Sequence, residues 1–586
     1  ARLAGATELI DGSLYDVAPG VLRLDLTRVD LASGAVIETY TVQGADLFSL
    51  ADSGTTRLAS DLGGDRPTSP LAAVSTRSLE AYRSYEAGVR AFYHGDAAEA
   101  EQRFGQALAA DPGFAMAAYY FALSLTHGSR ADMFGRLSRA IALAEGASDR
   151  ERLLIHASWA FFNSSPALQA VAETLTVRYP SELEGHLWAG QAAILAGEYE
   201  RAHAPLRRVI REDSLGLRGK AIRCLACDAF AAMVVSYQEE DSLVAAVRIG
   251  REWTRLQPGE RRPWVTLAGL LAQSGRIDEG FAALRIADSL DPRTAEGWRS
   301  LAALDLSADR YSEAEELARS HTRTGPAAER YEGYWLLAIA LRHRGQMKEA
   351  LAAARRYRAL VAEKPATGSA PTTALLEAQV LREAGQFRAA AALFDSIGRQ
   401  TLGLTDPAVI ARHRVWTWAH MAGASAAAGD TAGLAALADS AQFLGQRSAF
   451  VRDQRLHFYL RGLLTSARGD HGLAARQFQS AISSPNMGYT RINYALAGEL
   501  LALRRPREAV TTLQSVMRGI FEGSNLYLTH TEAAERLAQA FDAAGQRDSA
   551  AYYYTKVTMA WERADAMFTP RLLEARGKSA RLVGPR

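Results

Sequence analysis

Residues Arg261–Pro292, RRPWVTLAGLLAQSGRIDEGFAALRIADSLDP, decide how the chain is read. Trp264, Leu267, Ala268 and Leu271 recur at helical spacing and stripe one face of a first helix. Gly275 interrupts the pattern where a chain must turn. Gly280, Leu284 and Ala287 stripe a second helix, and Asp291-Pro292 ends it, because proline has no N–H with which to continue a helix. The segment is therefore a helical hairpin. Its bulky residues are too few to offset the chain entropy of an isolated hairpin, so it needs neighbours.

Working outward, the same frame recurs on both sides. Upstream it appears in Ala81–Pro112, with Ala87, Gly88, Gly95, Ala100, Phe104 and Ala107, and in Leu183–Ser214, with Trp188, Ala189, Gly190, Gly197, Tyr199, Ala202 and Leu206. Downstream it appears around Trp298, Leu301, Ala302, Tyr311, Ala314 and Ala318, then Tyr334, Leu337, Ala338, Gly345 and Ala350, then Ala378, Leu381, Gly385, Phe387, Ala390 and Phe394. Leu537, Ala538, Phe541, Ala550 and Tyr554 surround a last turn at Gly545. From Gly275 the turns are placed at Asp309, Gly345, Gly385, Gly429, Gly469, Arg505 and Gly545, at intervals of 34, 36, 40, 44, 40, 36 and 40 residues. Insertions in such arrays fall in loops. Residues 113–180 and 215–260 keep helical periodicity with a looser motif and read as degenerate repeats. The array predicts a mostly α fold, a right-handed α-solenoid of about twelve helix pairs stacked on a shared core, with a concave inner surface.

The first seventy residues differ. Leu22, Leu24 and Leu26 alternate with Arg23 and Asp25, the period of a half-buried strand. Val36, Tyr40 and Val42 mark a second strand beyond an Ala32-Ser33-Gly34 turn, Leu9–Val17 supplies a third, and Ala45–Leu62 fits a helix. Ten acids and five arginines give residues 1–70 a local charge of −5. The domain reading is a small α+β module over 1–62, a Gly/Pro/Ser/Thr-rich linker over 63–76, and the solenoid over 77–586.

The repeats resemble tetratricopeptide-repeat proteins over about five hundred residues. The opening string ARLAGATELIDGS (Ala1–Ser13), the DLASGAVI stretch and the LFSLAD helix start resemble a module of the TolB amino-terminal or flagellar-outer-protein type. The tail Tyr552–Leu582 resembles the carboxy ends of arrays attached to bacterial serine/threonine kinases, adenylate cyclases and transcription regulators. The module's opening strand and first helices have no counterpart here, which implies an upstream extension of the gene product and an unpaired sheet edge that the absent segment or a partner covers.

The 586 residues carry 67 basic and 65 acidic side chains, a net charge of +2. That balance gives no electrostatic case for nucleic acid or anionic membrane. Only five of the basic residues are lysines, an arginine and alanine bias typical of GC-rich bacterial genomes. No apolar run reaches the 18 to 20 or so residues of a membrane span; AFAAMVV (Ala229–Val235) is among the longest.

Enzymatic motifs are few. Glycine-rich-loop, VAIK, HRD, DFG and G-x-S-x-G signatures are missing. Gly577-Lys578-Ser579 mimics the end of a phosphate-binding loop, but Leu572 occupies the position of its first glycine. His413 and His420 share a helix face without an acidic companion pattern. Cys224 and Cys227 form C-x-x-C followed by Asp228, where c-type haem attachment needs His; in a helical stretch they read as two small packed residues, with a redox pair or a partial metal site as alternatives. No disulfide staple, cofactor or metal is expected.

Two patches are candidates for partner binding. Tyr82, Tyr85, Phe92 and Tyr93 occupy first-helix positions that face the groove in the repeat family, where aromatics clamp a peptide or partner helix; packing against the amino-terminal module or the next repeat is the alternative. Trp335, Ile339, Arg342 and His343 hold equivalent positions in a middle repeat and suit an acidic peptide; a solvated rim over ordinary core is the alternative. The functional expectation is a non-enzymatic scaffold holding protein partners in its groove or along its edges. Its rivals are the regulatory half of a bacterial kinase or transcription regulator, and a structural subunit of a larger complex. Cytoplasm, periplasm and membrane association through an upstream segment stay open as compartments.

Overall fold

The computed structural model describes the chain outside residues 1–6, 63–75, 77, 95, 126–129, 219–223, 292–294, 326–329, 364–372, 401–405, 520–526 and 584–586. The chain divides into two compact units, Ala1–His127 with Asp132–His156, and Gly128–Ala131 with Ala157–Arg586.

The first unit opens with β1 (Glu8–Ala18), β2 (Val21–Asp30) and β3 (Val36–Gly44), an antiparallel sheet in the order β1-β2-β3. Helix α1 (Leu47–Asp61) follows. Gly34 turns β2 into β3 with φ +73°, a conformation that costs a glycine little. The register places Leu24 opposite Val42 and Leu26 opposite Tyr40, so the alternating leucines share one face. α1 packs there, with Gly54 close enough to Leu26 that a Cβ would sit 3.1 Å from its side chain. Arg28 ties the sheet to both flanks, donating to Glu8 at 2.7 Å and to Asp61 at 3.0 Å. Among the described residues β1 pairs on one side only, and Ile10 and Leu14 on its helix-side face are exposed. The 63–76 linker lies outside the described residues, apart from Thr76, which is buried and donates to Asp111.

Helix pairs then succeed one another. In the first unit they are α2 (Leu79–His94) with α3 (Ala97–Ala110), and α4 (Ala115–Leu123) with α5 (Arg130–Leu143). α6 (Asp149–Phe162), in which the boundary between the units falls, is followed by α7 (Ala167–Arg178). The second unit continues with α8 (Leu183–Ala196), α9 (Tyr199–Glu212), a short α10 (Ser214–Leu217), α11 (Leu225–Glu239) and α12 (Leu243–Leu256). Next come α13 (Arg261–Gln273), α14 (Ile277–Leu290), α15 (Ala295–Ser307), α16 (Tyr311–Thr324), α17 (Arg330–His343) and α18 (Met347–Ala362). Then follow α19 (Thr373–Glu383), α20 (Phe387–Arg399), α21 (Pro407–Ala427), α22 (Leu434–Gly445), α23 (Val451–Ala467) and α24 (His471–Ala481). The stack ends with α25 (Arg491–Ala502), α26 (Pro506–Met517), α27 (His530–Ala543), α28 (Arg547–Ala560) and a closing α29 (Thr569–Val583). Among the described residues the loosely patterned stretches 113–180 and 215–260 are also helical. The architecture is an α-solenoid with a small α+β module at its amino terminus.

The packing within a pair explains the motif. A small residue on the first helix faces a large one sixteen positions later on the second. At Gly88, Gly190 and Gly462 a Cβ would come within 2.8 Å of Phe104 and within 2.5 Å of Leu206 and Phe478, respectively. Ala378 and Phe394, both fully buried, repeat the arrangement. The small side chain lets the two backbones approach, and the large one fills the space between the two helices. In the second unit the core runs as successive clusters, one from Leu187 to Leu304 and a larger one from Ala302 to Ala575.

The turns lie where the spacing predicts. Gly197, Gly275, Gly345, Gly385, Gly429, Gly469 and Gly545 all have φ between +69° and +80°. Gly95 lies outside the described residues. At the Arg505 turn the left-handed residue is Arg504 (φ +57°), and Ser164, Asp241 and Asp309 adopt the same conformation at theirs.

Candidate functional site

The aromatic residues of the first pair lie in packing. Phe92 is buried, 5.4 Å from the Tyr120 ring. Tyr85 lies 4.8 Å from Phe114 and 5.9 Å from Phe104, and Tyr82 stands edge-on to Phe48 of α1 at 6.2 Å. These rings join α1, α2, α3 and α4 rather than lining an open groove, because the neighbouring helices supply aromatic partners at contact distance. The Tyr93 side chain lies outside the described residues.

The middle-repeat candidates are also enclosed. Trp335 is half-buried with the Arg299 guanidinium 5.4 Å from its ring, but Ile339, Arg342 and His343 are buried. The cause is a long-range contact within the second unit. α17 packs on α27, where the Thr531 hydroxyl donates to the His343 carbonyl at 2.7 Å. Arg342 donates to Glu383 at 2.7 and 2.5 Å. Arg491 donates to Glu383 at 3.0 Å and to Glu532 at 3.2 Å. Buried charges persist only when paired and hydrogen-bonded, and this network joins α17, α19, α25 and α27. Sequence reading placed these residues on a groove because groove and seam require the same first-helix positions. The missed partners are Glu383 of α19 for Arg342, and Glu383 with Glu532 of α27 for Arg491.

The seam continues along the turns. Ser164 accepts from Arg412 at 2.8 Å through its hydroxyl and from the Ala449 N–H at 2.9 Å through its carbonyl. A Cβ on Gly197 would lie 3.0 Å from Val451. Asp241 accepts from Arg518 and, at 3.0 Å, from Asn486. Beside it, Ser484 donates to the Glu239 carbonyl across 245 residues of sequence. Asp309 binds Lys556 at 2.5 Å, and the Gly345 carbonyl accepts from the Asp565 N–H at 3.0 Å. Three turns that carry Ser or Asp in a left-handed conformation thus use those residues to hold helices far along the chain.

Three histidines lie along this interior. His343 and His420 are held well below the ordinary imidazole pKa, first by burial and then by cationic neighbours or His530. Burial also lowers His530, with Asp309 opposing. His420 stacks on Phe394 and takes a 2.9 Å contact from Gln379, and His413 bonds the Ile397 carbonyl at 2.9 Å. The two histidines that share a helix face are therefore separately engaged. Lys578, from the phosphate-loop mimic, binds Asp542 at 2.5 Å. Among the described residues no cluster of His, Cys, Asp and Glu has metal-binding geometry. Among the described residues no helix is long and apolar enough to cross a membrane. Cys224 and Cys227 are not simply packed thiols: the structure joins them as a disulfide.

The second unit carries a cleft of about 380 Å³ between α7, α8 and α9. Ala189, Ala192 and Ala193 form its floor, and Glu173, Glu198 and Arg201 its rim. Arg201 bridges the two carboxylates, 3.2 Å from Glu173. The second unit also carries large exposed apolar side chains. Val177, Val244, Ile286, Phe443, Tyr552 and Met559 all lie on second helices, and Met559 is 71% exposed.

No family model matches the chain, and no curated protein does. The crystal structure of the APC/C hetero-tetramer Cut9–Hcn1 is similar at 13% identity and a TM-score of 0.31, covering 92% of this chain and 99% of that one.

Proposed function

We propose that the chain is a non-enzymatic protein-interaction scaffold whose second unit receives partners on its exposed apolar side chains and the cleft between α7, α8 and α9. The observation that carries this reading is the set of large apolar side chains that the second unit leaves exposed. Val177, Val244, Ile286, Phe443 and Met559 are all exposed, and the Glu173–Arg201–Glu198 cleft adds a charged rim over small side chains. Exposed apolar side chains on a polar background are the usual anchors of association. The same side chains suit a structural subunit of a larger assembly, which is the same reading with a permanent partner.

Met559→Glu, Phe443→Glu and Arg201→Glu test it. Affinity purification from the native host, followed by size-exclusion chromatography, should yield a stoichiometric protein partner with the wild-type chain. At least one of these variants should lose that partner without a change in melting temperature. A partner that survives all three substitutions, or substrate turnover by the isolated chain, overturns the proposal.

A further inference from the structure

The Cys224–Cys227 disulfide lies at the amino terminus of α11, a 15-residue helix, and both residues are half-buried. Cys224 is the helix N-cap, with its sulfur 3.0 Å from the Cys227 backbone N–H. The competing helix-end N–H of Ala226 is taken by the Asp213 carboxylate at 2.9 Å. Cys227 Sγ lies 3.1 Å from Gln257 Oε1. Gln257 is buried and fixed, accepting from Trp253 Nε1 at 2.8 Å and donating to the Leu217 carbonyl at 3.3 Å.

In the disulfide neither sulfur carries a proton, so Oε1 faces Cys227 without a hydrogen to receive. In the dithiol each sulfur has a partner already in place. A Cys224 thiolate accepts the Cys227 N–H and is favoured by the positive end of the helix. A Cys227 thiol donates to Gln257 Oε1. The surroundings of the oxidised pair are thus arranged to receive the reduced one.

We infer that Cys224–Cys227 is a thiol–disulfide exchange site whose substrates are dithiols, and in the reverse direction disulfides, of a partner protein or a small thiol. A partner thiolate attacks Cys224 Sγ and forms a mixed disulfide. The Cys224–Cys227 bond breaks, and Cys227 leaves, takes a proton from solvent and bonds to Gln257. The partner's second thiolate attacks its own sulfur in the mixed disulfide and expels Cys224 as the capped thiolate. Two electrons pass from the partner to the pair: two partner thiols become one disulfide, and one protein disulfide becomes a thiol and a thiolate. Read backwards, Cys224 is the attacking thiolate and Cys227 the resolving thiol.

The test uses the full chain, reduced with dithiothreitol, desalted and exposed to glutathione disulfide at pH 7. The wild type should return to the internal disulfide without a lasting glutathione adduct. Cys227→Ser, which keeps Cys224, should accumulate the adduct, and Cys224→Ser should do so at least about tenfold more slowly, because only the Cys224 thiolate is capped. Iodoacetamide labelling of the reduced wild type, read by peptide mass spectrometry, needs no variant and should favour Cys224 by a similar factor. A wild-type pair that glutathione disulfide does not oxidise, or equal reactivity of the two cysteines, overturns the assignment.

Discussion

Gly345 and Gly275 share a backbone conformation but not a neighbourhood. Both have positive φ, +69° and +75°, so a side chain at either pays the left-handed penalty, about 1 kcal/mol. Nothing lies within 4 Å of a Cβ at Gly275, whereas at Gly345 a Cβ would stand 2.8 Å from Ala564 and 3.1 Å from Trp561. Gly345→Ala should therefore cost about 2 to 4 kcal/mol and Gly275→Ala about 1, measured by urea unfolding. Equal costs would show that the Gly345 contact yields freely. Asp305 offers a test of opposite sign. Burial raises its pKa to about 6, with Arg310 opposing. The unfolded carboxyl titrates near 3.8, so the folded chain binds more protons between those values and wild-type stability falls as pH rises through that window. At pH 7 the folded state carries the charge at a cost, and Asp305→Asn should stabilise by about 1 to 3 kcal/mol. The advantage should shrink toward zero near pH 4. A melting-temperature series from pH 4 to pH 8 checks both sign and window.

The helix pair was the element most legible in the sequence, and the reason is locality. A small residue and its large partner sixteen positions on, with a turn glycine between them, lie within one hairpin and leave a pattern in thirty-odd residues. That is why Gly88 with Phe104 and Gly190 with Leu206 could be read before any coordinates. The strands were legible for the same reason, through the alternation at Leu22–Leu26. The seam was not, since Ser484 and Glu239 are 245 positions apart and no period connects them. Its trace is indirect, in Asp241 and Asp309 standing at turns where other pairs use glycine. Those residues should cost stability locally and return it at the seam. The Asp241–Arg518 pair allows that to be measured. Asp241→Ala and Arg518→Ala, each made alone and then together, should show a coupling energy of about 1 to 3 kcal/mol by urea unfolding. A coupling near zero would mean that the two helices meet for other reasons and the ion pair is incidental. The candidate groove residues show the same blindness to distance: Ile339, Arg342 and His343 are buried, with Glu383 on Arg342 and Thr531 on His343.

At the scale of the whole molecule, the seam changes what kind of stack the second unit is. In an open repeat array each pair touches only its neighbours, so stability is a sum of local terms and the ends unfold before the middle. Here the turns at Ser164, Asp241, Asp309 and Gly345 hold helices from α21 to the segment before α29. Contacts of that separation cost loop-closure entropy that grows only slowly with length, so a few charge-assisted hydrogen bonds on an apolar seam are enough to offset it. The consequence is cooperativity over a distance. Neither half of the second unit can unfold without exposing the face of the other, so its far-ultraviolet circular dichroism and tryptophan fluorescence should report one urea midpoint. Breaking two seam anchors, Arg518→Ala with Lys556→Ala, leaves the small-to-large core contacts within the pairs in place. That double variant should separate the two midpoints and lower the apparent m-value, since the halves then open one after the other. Coincident midpoints with an unchanged m-value in the double variant would mean that the local helix-to-helix terms alone make the unit cooperative, and that the seam is a consequence of winding rather than a cause of stability.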